Sequence, residues 1–165
     1  MNIKRRLLLP ATLLLSLLLA LLPGCGDTRQ PPPGTALDTF YQAILSAQSQ
    51  DAEPLILFPE SDPAFIDSVY PGLSGIDLLQ AAFYLPPVFS APCEIALVEA
   101  ADASAAQAAA DIFQARINSG AADTTYPENA AGWSRSAQVQ RSGNFVCMIV
   151  LPEGFVIPEN VFSLL

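Results

Sequence analysis

The sequence contains no histidine, and its single lysine, Lys4, stands near the start of the chain. These absences remove the commonest general base, the commonest zinc ligand and any Schiff-base nucleophile from the residues that follow. A Gly-rich phosphate loop and a Ser-x-x-Lys nucleophile both need a lysine, so neither motif is present. Closely alternating acidic residues of the D-x-D-x-D-G type, which would indicate a calcium site, are also missing. The sequence therefore predicts no cofactor, no metal and no recognisable catalytic centre.

Basic residues are scarce after the first six positions. Lys4, Arg5 and Arg6 precede an apolar run, and only four arginines follow them, against 16 aspartates and glutamates. Four positive and sixteen negative charges leave a formal charge of −12 after Arg6. Such a surface repels phosphate backbones and anionic lipid head groups, so nucleic acid is not an expected partner. The same acidity also serves solubility without any partner.

An apolar run from Leu7 to Leu22 follows these basic residues and ends in "LPGC". A membrane-spanning helix needs roughly 20 apolar residues, and an ordinary secretion signal favours Ala-x-Ala at its end. The "LPGC" box, Leu22 to Cys25, instead resembles the cleavage site of bacterial lipoproteins, where the cysteine sulfur takes a diacylglycerol. We predict cleavage between Gly24 and Cys25, and a lipid anchor at the extracytoplasmic face of the cell membrane. An uncleaved anchor and plain secretion are the alternatives.

Residues 26–34, "GDTRQPPPG", contain no apolar side chain that could build a core. Their three consecutive prolines favour an extended polyproline II spacer of roughly 3.1 Å per residue. A proline-rich ligand for a partner is the alternative interpretation. The predicted organisation is a signal peptide at 1–24, a lipidated cysteine with its tether at 25–34, and a single domain at 35–165.

The remaining residues show helical and strand-like periodicity in turn. Apolar spacing and cap residues predict helices over about 36–49, from Asp62 to Tyr70, over 103–118 after the cap Asp102, and from Pro158 onward. Apolar runs predict strands over 77–85, 93–100, 135–140 and 145–151, with a short turn or helix at 126–133. This order predicts an α+β domain of two layers. Its four-stranded, mainly antiparallel sheet consists of two β-hairpins separated by a helix, with helices packed on one face.

Three stretches also resemble a known family: residues 70–117, then "YPENAAGW", then "GNFVCMIVL". They are similar to small lipoproteins of Gram-positive, largely anaerobic gut bacteria, a family catalogued as a domain of unknown function. The likeness covers roughly residues 36–164, and its most specific part is "EIALVE", followed by "FQARI" and "YP". The resemblance implies a lipoprotein with these domain limits and implies no activity.

Cys93 and Cys147 both lie in predicted strands of a domain expected outside the cytoplasm. A disulfide between them is chemically allowed there, provided that their Cα atoms come within about 7 Å. The alternative is two buried free thiols that pack as small apolar groups. A nucleophilic cysteine is not expected, because it would need a basic or cationic neighbour.

Arg116 lies in the last turn of the predicted helix 103–118 and is one of the few cations there. One interpretation is that it complements the negative end of the helix dipole. The functional hypothesis is that it holds the carboxylate or phosphate of a small ligand through paired hydrogen bonds, with Tyr126 and Trp133 as neighbouring walls.

The loop "YLPPVFSAP" places Val88 and Phe89 between prolines. A stiff apolar loop of this kind could contact a partner protein, or it could fold back over a helix end. Carboxylate pairs offer no alternative centre, because Glu94 and Glu99 have opposite strand parity. We therefore predict a non-catalytic binding or envelope-accessory module that meets an unidentified protein or small molecule. A lipoprotein that binds small anionic ligands is the alternative.

Overall fold

The computed structural model describes residues 36–49, 54–88 and 91–164. These residues form an α+β fold. In chain order its elements are α1 (Ala36–Ser46), β1 (Phe58–Glu60), α2 (Pro63–Val69), β2 (Leu78–Leu85), β3 (Glu94–Ala100), α3 (Ala103–Ala121), α4 (Pro127–Ser136), β4 (Gln138–Ser142) and β5 (Phe145–Val150). Two 3₁₀ turns lie at Leu73–Gly75 and Val161–Leu164.

The strands form one sheet in the order β1-β2-β3-β5-β4, with every neighbouring pair antiparallel. The two predicted hairpins are confirmed, since β2 pairs with β3 and β4 pairs with β5. Gly143, at φ 58°, supplies the left-handed residue of the second hairpin turn. The hairpins meet where β3 pairs with β5, so these two strands occupy the middle of the sheet.

The prediction of four strands is wrong, because the sheet described here has a fifth strand, β1, at its edge. This strand is only three residues long and has Pro59 at its centre, so it lacks the alternation that marks longer strands. A proline is tolerated at an edge because one side of the strand needs no backbone donor. Phe58 and Glu60 pair with the C-terminal end of β2.

Helices cover both faces of the sheet, so the prediction of helices on one face is also wrong. One face, here called the α3 face, packs Val98 and Met148 against α3 and α4. The other face, called the α1 face, packs Leu97 and Ile149 against α1 and the last 3₁₀ turn. The physical reason is that both alternating sets of side chains in β3 and β5 are mostly apolar and mostly buried, and each set needs a cover.

The predicted caps of two helices are confirmed. The carboxylate of Asp62 accepts hydrogen bonds from the first turn of α2, and Asp102 accepts one at 2.8 Å from the amide of Ala105 at the start of α3. Helix α3 extends to Ala121, three residues beyond the predicted end at position 118. Gly120 is a packing residue, because a Cβ atom there would lie 2.4 Å from Trp133 of α4.

The C-terminal segment forms less helix than the sequence predicts. A single 3₁₀ turn, Val161–Leu164, replaces the helix expected from Pro158, and its Phe162 packs on Phe40 of α1 with ring centroids 5.7 Å apart. Helix α1 ends at Ser46, before the predicted position 49. Beyond it, Gln48 exchanges two hydrogen bonds with the backbone of Val156, at 2.8 and 3.0 Å, and so fixes this segment against α1.

Candidate ligand-binding groove

The α3 face contains a buried carboxylate, that of Glu94, at the first position of β3. Its side chain is fully buried, and the guanidinium of Arg116 on α3 donates two hydrogen bonds to it. The Arg116 Nε–H reaches Oε1 at 3.2 Å, and Nη2 reaches Oε2 at 2.8 Å. This is the fork-to-fork geometry that makes an arginine–carboxylate pair strong and directional.

A third residue, Tyr70, completes this network. Its hydroxyl donates a hydrogen bond of 2.6 Å to Oε1 of Glu94, and its ring packs on Phe83 and Phe113. Burial, and then the negative charge of Glu94, raise the pKa of Tyr70 well above its ordinary value. The phenol therefore stays protonated and remains a donor to the carboxylate at physiological pH.

The guanidinium of Arg116 also lies over an aromatic ring. Its Cζ atom is 4.5 Å from the ring centroid of Trp133, which is 1% exposed on α4. The close packing of Trp133 on α3 depends on Gly120, as described above. Arg116 is thus held from two sides, by a carboxylate from the sheet and by an indole from α4.

An open groove of about 690 Å³ lies beside this network, between α2 and the C-terminal half of α3. On the α2 side it is lined by Phe65, Ser68, Val69 and Pro71, and on the α3 side by Asp111, Ile112, Ala115, Arg116 and Ser119. The lining as a whole is more apolar than polar, with most of its polar residues on the α3 side, and Asp111 and Arg116 are its charged residues.

The structure brings together two of the three residues predicted to bind an anion. Arg116 and Trp133 are in contact, but Tyr126 precedes α4, is 53% exposed and does not line the groove. The two parallel hydrogen bonds expected from Arg116 to a ligand go instead to Glu94. The helix-dipole interpretation also gives way, because the guanidinium lies against the sheet and α3 continues for another turn.

The remaining predicted partner surface is only partly described. Val88 is 60% exposed, and its carbonyl accepts a hydrogen bond of 3.0 Å from the amide of Ala91. Phe89, Gly24 and Cys25 lie outside the described residues, so the partner-binding loop and the lipid site remain predictions. None of the helices in the described ranges combines the length and the hydropathy that a bilayer span requires.

Cys93 and Cys147 are both free and buried, and the predicted alternative of a disulfide between them does not match the strand register. Cys147 lies opposite Leu97 on the neighbouring strand, four residues along from Cys93. At roughly 3.3 Å per residue this offset exceeds the reach of a disulfide. Burial raises the pKa of Cys93 to about 11 and that of Cys147 to about 12, so both thiols stay protonated at neutral pH.

The α1 face carries a different polar feature. Tyr41 of α1 stacks on Tyr84 of β2, with ring centroids 3.6 Å apart and planes inclined by 5°. The hydroxyl of Tyr84 is buried and has no hydrogen-bond partner among the residues the structure describes. Burial raises the pKa of Tyr84, with smaller contributions from Tyr41 and Asp38.

Carboxylates do not assemble into a metal site within the ranges 36–49, 54–88 and 91–164. No group of three acidic or cysteine side chains there is close enough to hold an ion. Glu94 is bonded to Arg116, and the carboxylate of Glu99 accepts a hydrogen bond of 2.5 Å from Gln80 on the neighbouring strand. The groove beside Arg116, at about 690 Å³, is larger than a second cavity of about 480 Å³ that Cys93 and Phe155 line, and it is the candidate binding site.

Comparison with known proteins adds no assignment: no family model matches the chain, and neither the curated proteins nor the solved structures yield a significant match.

Sequence reasoning missed Glu94 and Tyr70 as members of the site. The available signal was the scarcity of cations. A glutamate at the start of a mostly apolar strand needs a positive partner when buried, and Arg116 is one of three arginines among the described residues. The partners are 22 and 24 residues from Glu94 in the sequence, so only the packing of α2 and α3 on the sheet reveals the network.

Proposed function

We propose that this chain is a non-catalytic binding module, held at the extracytoplasmic face of a cell membrane by a lipid on Cys25, and that the α2–α3 groove is its ligand site. The observation that carries the binding proposal is that both walls of the groove are tied to one carboxylate. Tyr70, at the end of α2, and Arg116, in α3, both donate to Glu94. A groove held in this way is preorganised, so little ordering opposes the binding of a ligand.

The dimensions of the groove also support binding. A volume of about 690 Å³ lies within the range of small-molecule sites, which are usually apolar with a few polar groups that fix orientation. The walls offer the rings and branched side chains of Phe65, Val69 and Ile112, with the hydroxyls of Ser68 and Ser119 between them.

The anchor proposal rests on the sequence alone. A basic start, a short apolar run and "LPGC" precede a proline-rich tether, and two acyl chains on one cysteine are enough for stable attachment.

The groove is tested by thermal unfolding of the full-length protein, reconstituted in phosphatidylcholine nanodiscs, against a library of small apolar compounds of each charge type. A ligand that binds only the native state must raise Tm, by an amount corresponding to about 2.7 kcal/mol at a hundred times its Kd. Ala115→Phe should abolish the increase, because Ala115 is an exposed residue that lines the groove.

The matched control is Ala103→Phe, the same change at an exposed position in the first turn of α3, outside the groove. Equal loss of the Tm increase in both variants would contradict a site at the groove. Failure of every compound to raise Tm would contradict the binding proposal itself.

The anchor is tested by mass spectrometry of the N-terminal peptide of protein isolated from the membrane fraction of expressing cells. A peptide that begins at Cys25 and carries a diacylglycerol is expected, and Cys25→Ser should move the protein out of the membrane fraction or leave its leader uncleaved. An unmodified peptide that starts at Met1 in the wild-type protein would contradict the anchor and would leave the groove proposal untouched.

A further inference from the structure

The charges around the α2–α3 groove determine which kind of ligand it can take. Arg116 is the cation of the lining, and its charge is compensated by the buried carboxylate of Glu94 at 2.8 Å. An anionic ligand would have to compete with a carboxylate already held by two hydrogen bonds and by the Tyr70 hydroxyl. The Arg116–Glu94 pair therefore contributes no net positive charge to the groove.

Asp111 is the other charged residue of the lining, and its carboxylate is exposed on α3. It accepts a hydrogen bond of 2.9 Å from the side-chain amide of Gln107 and forms no ion pair with any described residue. Arg141 donates a hydrogen bond of 3.1 Å to the side-chain oxygen Oε1 of Gln107, so it is linked to Asp111 only through that side chain. The groove consequently carries one uncompensated negative charge at its α3 wall.

The surroundings have the same sign. The described residues contain thirteen aspartates and glutamates against three arginines, a net charge of −10. A field of this sign raises the local concentration of cations and lowers that of anions near the groove.

We infer that the groove takes an organic cation with an apolar body, which packs between Phe65, Val69 and Ile112 while its positive group lies at Asp111. This inference rests on the proposed ligand site and specifies the chemistry of its occupant. It replaces the anionic ligand that the arginine alone suggests.

The test uses three probes that share a naphthylmethyl body and differ in the charge of the attached group: (1-naphthylmethyl)trimethylammonium, 1-naphthylacetate and the neutral 2-(1-naphthyl)ethanol. Their binding to the full-length protein in phosphatidylcholine nanodiscs is measured by isothermal titration calorimetry, with empty nanodiscs as the blank. The cation is expected to bind about two- to fivefold more tightly than the neutral probe, the range typical of one exposed charge pair, and this preference should shrink as salt is raised.

Two variants, each of which removes one negative charge, show whether the preference for the cationic probe arises at Asp111. Asp111→Asn should bring the cation and the neutral probe to equal affinity and leave the neutral probe unchanged. Glu159→Gln removes the same charge at an exposed position outside the groove and should preserve the preference.

Each outcome decides one of the two proposals. A preference for the cation that Asp111→Asn removes supports the inference. Tighter binding of naphthylacetate, equal binding of all three probes, or a cation preference that survives Asp111→Asn would overturn it, while Ala115→Phe would still show whether the groove is the site. Absence of binding by every probe would count against the groove as well as its charge preference.

Discussion

On the α3 face of the sheet, the buried carboxylate of Glu94 has a cation and a phenol bonded to it. On the α1 face, the buried hydroxyl of Tyr84 has no partner among the described residues, and the thiol of Cys147 lies in an apolar cluster. One sheet thus shows two ways of burying polar atoms. On the α3 face the buried carboxylate is paired and ties helices to a strand, whereas on the α1 face the Tyr84 hydroxyl makes no such tie among the described residues.

This difference has a consequence for function. The face with paired polar groups is also the face with the groove, and its network joins the two groove walls to β3. A buried charge whose hydrogen bonds are all formed makes strong and directional contacts. Loss of one partner leaves the other group buried without compensation, and its full desolvation penalty then destabilises the folded state. Substitutions that remove single polar groups should therefore be most severe on the α3 face.

The largest effect is expected for Arg116→Met, which keeps much of the side-chain volume and removes the charge. Glu94 would remain buried without its cation, so the free energy of unfolding should fall by about 3–5 kcal/mol. Urea unfolding followed by circular dichroism measures this change.

The double variant Glu94→Gln, Arg116→Met separates the loss of the pair from loss of packing. It should be more stable than Arg116→Met alone, since no unpaired charge is left. If Arg116→Met reduces stability by less than 1 kcal/mol, the ion pair is not the element that holds this face together.

The next largest effect is expected for Tyr70→Phe. This change removes only the hydroxyl that donates to Glu94 at 2.6 Å and should lower the free energy of unfolding by about 1.5–3 kcal/mol, the value of a hydrogen bond to a charged group. The same urea titration applies. An unchanged midpoint would show that Arg116 alone satisfies the carboxylate.

A smaller effect, visible only at alkaline pH, is expected from the thiols on the α1 face. A thiol whose pKa is about 12 when folded and about 9 when unfolded loses its proton only in the unfolded chain between these values. Cys147 therefore contributes stability that is complete below pH 9 and declines as pH rises toward 12, by at most about 1.4 kcal/mol per pH unit.

Unfolding titrations between pH 8 and 10 should show this decline in the wild type and a shallower one in Cys147→Ala. Cys93→Ala should also reduce the slope, because its folded pKa is about 11. Parallel wild-type and Cys147→Ala curves over this interval would mean that the thiol is hydrated in the folded state.

The smallest effect, and one of opposite sign, is expected for Tyr84→Phe. The buried hydroxyl of Tyr84 lacks a partner among the described residues, so its removal eliminates the cost of taking it out of water, and the ring can stay stacked on Tyr41. The free energy of unfolding should therefore be unchanged or rise by about 1 kcal/mol. Compared with Tyr70→Phe, it is the same chemical change on the other face of the sheet. A loss as large as that of Tyr70→Phe would erase the contrast between the two faces.

The parts of the fold that could be predicted from the sequence are those marked by local signals. Asp102 before an alanine-rich helical stripe located the start of α3, and the apolar runs of β2, β3 and β5 located the centre of the sheet. Strand β1 carries no such signal because Pro59 and its length of three residues hide it. The prediction of helices on one face overlooked that β3 and β5 are mostly apolar on both faces. Which helix lies on which face depends on long-range packing.

Of the candidate site, the sequence pointed to Arg116 but not to the carboxylate with which it pairs. Arg116 stood out because cations are rare, and its contact with Trp133 is present in the structure. The identity of its carboxylate partner was not accessible, since β3 and α3 meet only in the folded chain. Lipidation of Cys25 and partner binding by Val88 and Phe89 stay predictions.

Trp133 is the single tryptophan of the chain. Its indole packs against Gly120 of α3 and lies 4.5 Å below the guanidinium of Arg116, next to the groove and shielded from water. Its emission should be that of an apolar environment and should shift to longer wavelength when α4 separates from α3, with no second indole to dilute the signal. The protein therefore carries an optical reporter beside its buried ion pair, which can follow unfolding without any label.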